Sequence, residues 1–132
     1  MPERVVNFLT GGMPTPIFPI PLEVWDDYDM DGSELIECEI VRVLNHWGEV
    51  VRNVNRRLDC KTDFYYSMLG WTGTGIVIPE EIVDKYGIKI EHYLEIILHK
   101  VKKDGEETPI YPGEMREHEI RKRVDEKDEV KG

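Results

Sequence analysis

Valine and isoleucine together number 26 in this chain against eight leucines, and neither alanine nor glutamine occurs at all. Side chains branched at Cβ lose rotamer freedom against the preceding turn of a helix but pack well on a pleated strand. The residues that usually cover helix surfaces are the ones missing. The composition therefore predicts a mostly β core with short helices, an α+β arrangement. A length of 132 residues suits one domain, burying about two thirds of the surface its unfolded chain exposes. Three stretches differ in character: a Pro-rich, acidic N-terminal arm over 1–33, a β-rich core over 34–111 and a charged C-terminal helix or tail over 112–132.

The most legible part of the core is 75–98. Ile76 to Ile78 is a β-branched run closed by Pro79, whose fixed φ and missing N–H suit a first helical turn. Glu80 and Glu81 follow, where the positive end of a helix favours carboxylates. Ile82, Val83 and Tyr86 share one side of the next two turns, and Gly87 can take the left-handed conformation that ends a helix. Tyr93 to Val101 alternates and then runs apolar through Leu94, Ile96, Ile97 and Leu98, the pattern of a buried strand. Strand, short helix, strand is the expectation.

This segment resembles the AbrB/MazE/SpoVT superfamily of swapped-hairpin transcription regulators and antitoxins. The resemblance lies in Gly75, Ile76, Ile78, Pro79, Glu81, Ile82, Gly87, Ile88, Leu94, Glu95 and Ile96, about a quarter of the chain. Where the family has a basic residue two before its Ile-Pro, this chain has Ile76; the helix Arg is Asp84, and the Gly-Asp pair before the last strand is Glu91 and His92. The resemblance implies an AbrB-like swapped hairpin or related small barrel, a homodimer, and DNA binding through the loop 70–75, with Trp71, Thr72 and Thr74 as contacts. Physically, that glycine-rich loop reads as a hairpin turn with glycines at positive φ. No helix N-terminus follows it, as a phosphate cradle requires.

Between Thr10 and Leu22, four prolines exclude a helix or a central strand and leave an extended segment, which Ile17, Phe18 and Ile20 would dock on an apolar surface. Asp27, Asp29, Asp31 and Gly32 then carry the spacing that opens a calcium loop, hard oxygen ligands at alternate positions with a glycine for the turn. The twelfth position, where such a loop needs a bidentate Glu, is Cys38, with Glu37 one residue early. Calcium binding and an acidic, solvated turn are the two readings.

Over 34–58 two periods compete. Ile36, Cys38, Ile40 and Leu44, a turn at 45–48 and a return from Val50 to Val54 make a hairpin. Ile36, Ile40, Val43, Trp47, Val50, Val54 and Leu58 make an equally regular helical stripe. The helical version would turn 50–58 and 64–69 into a helix-turn-helix. The aromatic run at Phe64 favours a strand for 62–69, and 34–58 stays open. Beyond Val101, Asp104 and Gly105 favour a hairpin into 108–111, and the last twenty residues suit a frayed helix or disordered tail.

A net charge of −10 works against nucleic-acid binding, which draws on phosphate neutralisation. Arg42, Arg52, Arg56, Arg57 and Lys61 nevertheless offer a basic face for DNA, unless Glu37, Glu39, Glu49 and Asp59 pair with them. Cys38 and Cys60 have no ligand spacing, and a disulfide between them depends on strands bringing them together. No signal peptide, membrane span, nucleophile elbow, zinc spacing or dinucleotide fingerprint occurs, so a cytoplasmic, non-enzymatic protein without a cofactor is expected. Prominent Glu and Lys with no Gln fit a thermophile. Two functions follow as expectations: a dimeric DNA-binding transcription regulator of AbrB-like type, or an acidic protein-interaction module, antitoxin-like or a virus-encoded inhibitor, that does not bind DNA.

Overall fold

A computed structural model describes residues 3–66, 72–113 and 116–119. In chain order the elements are β1 (Glu3–Phe8), β2 (Ile17–Pro19), α1 (Leu22–Asp27), β3 (Leu35–Leu44), β4 (Val50–Tyr66), β5 (Thr72–Val77), α2 (Glu80–Tyr86), β6 (Tyr93–Lys103), β7 (Glu106–Pro109) and β8 (Arg116–Glu119). The protein is mostly β with two short helices, and its sheet curls into a half-barrel. Strand order is β2-β5-β4-β3-β6-β1-β8, with β7 also on β6.

The competition over 34–58 is decided for the hairpin. Leu35 pairs with Lys61, Cys38 with Leu58 and Leu44 with Val50, which also removes the helix-turn-helix. Asn45 closes the turn: its Oδ1 accepts the N–H groups of Trp47 and Glu49 at 2.9 and 3.0 Å. Such side-chain turns hold a chain reversal that a helical stripe cannot anticipate. Alternation along β3 sends Ile36, Cys38 and Ile40 inward, each fully buried.

β4 is 17 residues long because it serves two partners in succession. From Val50 to Lys61 it lies on β3, and from Thr62 to Tyr66 it lies on β5. A bulge near Asn55, at φ 49°, bends it on the way. The proline-rich segment docks on the protein's own core as β2, antiparallel to β5, with Phe18 and Ile20 buried. The N-terminal stretch read as an arm also supplies β1, held between β6 and β8.

The strand, helix and strand expected over 75–98 form as β5, α2 and β6. Pro79 stands at the helix N-cap at φ −61°, Gly87 ends it in the left-handed region at φ 61°, and Ile82 and Val83 are buried. Toward the C-terminus the sequence misleads: Arg116–Glu119 is a strand parallel to β1 rather than part of a helix or free tail. A neighbouring strand supplies main-chain partners that this charged segment shows no sign of needing.

Gly73 and Gly75 are not turn residues but lie within β5, and neither has positive φ. Close approach explains them. A Cβ on Gly75 would lie 2.5 Å from Ile17 Cγ2 and 2.6 Å from the Phe18 carbonyl oxygen, and one on Gly73 would enter the Tyr65 ring at 2.3 Å. Gly75→Ala should therefore cost about 1–3 kcal/mol in urea unfolding, by prising β2 from β5. Gly12→Ala, where nothing lies within 4 Å, should stay within about 0.5 kcal/mol of wild type.

Candidate interaction surface

The side chains singled out from the sequence scatter over the fold. Alternation in β4 buries Cys60 and Thr62 and packs Leu58 against the core, so Arg57, Asp59 and Lys61 stand on the outer face and Arg56 on the inner one. Arg52 lies near the C-terminal end of α2, its guanidinium 3.7 Å from where a Cβ on Gly87 would sit. Arg42 faces Glu95, 3.1 Å from Nε to Oε1, and Arg4 donates to the other oxygen of the same carboxylate at 2.8 Å. Trp71 lies outside the described residues. Thr72 is in β5, and Thr74 is buried while its carbonyl accepts the Ile20 N–H at 3.1 Å, so the strand turns that side chain away from any groove.

The outer face instead carries a ladder of opposite charges. Arg57 Nε donates to Glu37 Oε2 at 2.7 Å, and Lys102 reaches Glu37 at 3.2 Å and Asp59 at 3.1 Å. Lys100 meets Glu107 at 3.3 Å. The Arg57 guanidinium holds the Glu37 carboxyl below its usual value, against a smaller opposing effect of burial. Paired in this way, these cations present little net field to a polyanion. Among the described residues, Arg52, Arg56 and Lys61 have no ion pair.

Glu34 ties the acidic segment to the sheet. Its side chain is fully buried, and its carboxylate accepts the N–H groups of Asp31 and Gly32 at 2.7 and 3.0 Å. Thr62 Oγ1 donates at 3.3 Å, and Lys103 Nζ lies 3.4 Å away. Asp31 accepts the N–H and hydroxyl of Ser33 and pairs with Lys103 at 3.1 Å, and these partners hold its carboxyl well below the usual range, the Ser33 hydroxyl first. Asp27 accepts the Tyr111 hydroxyl, while Asp29 sits at φ 51°. Asp27 and Asp31 thus take different partners, and among the described residues no group of three His, Cys, Asp or Glu is placed to hold a metal ion. Spacing alone missed Glu34, because only the fold shows a carboxylate reaching back over its own turn. Nearby, a cleft of about 520 Å³ is lined by Asp27, Asp29, Asp104 and Glu106 together with Lys103.

Cys38 and Cys60 do meet, diagonally across β3 and β4, with Sγ atoms 3.7 Å apart in a thiol hydrogen bond and no disulfide between them. The neighbouring Cys60 thiol and then burial push the Cys38 thiol well above its ordinary value, the opposite of an activated nucleophile. No helix among the described residues is long and apolar enough to cross a membrane.

The backbone of β4 leaves one part of the sheet open. The Thr62 N–H points to β3, where the Glu34 carbonyl accepts it at 3.2 Å, and Asp63 pairs with Gly75 on the other side. Alternation then aims the main-chain groups of Arg57 and Asp59 away from β3. No described strand pairs with them, and a shallow depression is lined there by Glu37, Arg57, Leu58 and Asp59.

Comparison with protein-family models, with curated proteins and with solved structures gives no match to this chain.

Removing the Glu34 carboxylate strands two main-chain donors and leaves the Lys103 ammonium with Asp31 alone. Glu34→Ala should cost about 3 kcal/mol in chemical unfolding, with Glu34→Gln in between.

The histidines set an expected pH response. Burial lowers the pKa of both His92 and His99 from its ordinary value. The Lys89 N–H donates to His92 Nδ1 at 3.0 Å, which requires that nitrogen unprotonated. Their contribution to stability is complete above the unfolded pKa of about 6.5 and is lost as pH falls from there through the depressed folded values. A His92→Gln/His99→Gln variant should therefore lose less stability than wild type between pH 7.5 and 5.5 in urea titrations.

Proposed function

We propose that this protein is an acidic protein-interaction module that does not depend on DNA. The observation that carries this reading is the pairing of Arg42, Arg57, Lys100 and Lys102 with Glu95, Glu37, Glu107 and Asp59. Cations held this way neutralise few phosphates and so release few of the counterions condensed on a duplex, and a net charge of −10 opposes the encounter. The split of Arg56 and Lys61 between the two faces of β4 adds support, because a duplex meets one face at a time.

A second reading keeps the AbrB-like DNA-binding regulator. It is favoured by β5, α2 and β6, which follow the order of strand, proline, helix, glycine and strand, and by Arg52, Arg56 and Lys61, whose charges have no described partner. The swapped hairpin belongs to this reading.

Fluorescence anisotropy against mixed duplex fragments separates the two. The interaction module predicts no saturable binding even at low salt. Binding that weakens steeply as salt rises would overturn it and favour the regulator, and Arg52, Arg56 and Lys61 substitutions should then each lower the salt slope by about one.

A further inference from the structure

We infer that the open stretch of β4, Arg57 to Asp59, is a self-pairing edge that takes the same stretch of a second copy of this chain, antiparallel, about a two-fold axis at Leu58. Three observations converge on this register. The first is main-chain direction. Arg57 and Asp59 both aim their N–H and C=O groups outward, so placing Arg57 of each copy opposite Asp59 of the other lets each pair exchange two hydrogen bonds, as an antiparallel ladder requires.

The second is charge. Arg57, Asp59 and Lys61 alternate in sign on the outer face. The axis at Leu58 sets Arg57 against Asp59 twice, an attractive cross-strand arrangement. An axis at Asp59 would instead oppose two carboxylates, and would set Arg57 against Lys61. The third is apolar surface. Leu58, half-buried and touching the core, lines the depression at this edge and would meet its own copy at the axis. Positive φ at Asn55 ends the regular ladder on one side, and β5 occupies the edge from Lys61 on the other. That confines the pairing to a short stretch and predicts a dimer rather than an open fibre.

This pairing goes beyond the protein-interaction reading and is tested on the protein alone, so the DNA titration and the self-association measurement fail separately. Sedimentation equilibrium of the full chain should show a monomer–dimer equilibrium. Arg57→Asp and Asp59→Arg, each alone, should weaken it about tenfold or more, and the double swap should restore it, because opposite charges again face each other. Should either single variant fail to fold, a second measurement decides. With Cys38→Ala and Cys60→Ala removing the native thiols, Leu58→Cys would stand about 4.5 Å from its symmetry mate, inside disulfide range. It should form a covalent dimer on oxidation by oxidised glutathione, while Lys61→Cys in the same background should not. A wild-type chain that stays monomeric at high concentration, a dimer indifferent to both reversals, or crosslinking at 61 but not at 58 would each overturn the pairing.

Discussion

The fold turns on the point where β4 leaves β3 and joins β5. Glu34 and Thr62 stand there: the Thr62 N–H and hydroxyl both reach the Glu34 carbonyl, and the Glu34 carboxylate gathers the Asp31 and Gly32 amides beside Lys103. A fully buried carboxylate is tolerated only with this many donors. Here it fixes the end of the acidic turn, the start of β3, the middle of β4 and the far end of β6 in one place. The curl of the sheet follows, because a strand that changes partners halfway must bend, and α1 and β2 close over the bend with Trp25 edge-on to Phe64 at 5.2 Å.

The outer face answers a different requirement. β3, β4 and β6 run side by side with their inner side chains in the core, so their outer charges stand in register. Register makes Glu37, Arg57, Asp59 and Lys102 a ladder without any one pair being strong, since exposed ion pairs contribute little singly. The fold has used most of this charge internally, which is why a basic stretch in the sequence does not become a basic face.

Strand content, the docking of Phe18 and Ile20, and the proline and glycine that bound α2 were legible because each is a local rule: branching, periodicity, fixed φ or positive φ. The choice between hairpin and helix over 34–58 was not. Both periods place Ile36 and Ile40 well, and only pairing with β6, some sixty residues away, tells them apart. Nor could the spacing of the aspartates at 27, 29 and 31 show that Tyr111 and Lys103 reach two of them from elsewhere in the chain. Gly73 and Gly75 were legible as glycines and misleading as to cause: the constraint is a neighbouring chain, not a dihedral angle.

The position of β1 bears on how the polypeptide reaches this state. Glu3 to Phe8 pair with Leu98 to Tyr93 on one side and with the 116–119 strand on the other. Closing those contacts spans nearly the whole chain, so their entropy must be lost before any of their bonds can form. On the ribosome β1 is made well before β6 and β8, the strands it pairs with. Until β6 emerges, Val5 and Val6 have no sheet to enter, and the nascent chain must keep an apolar strand from other partners in the meantime.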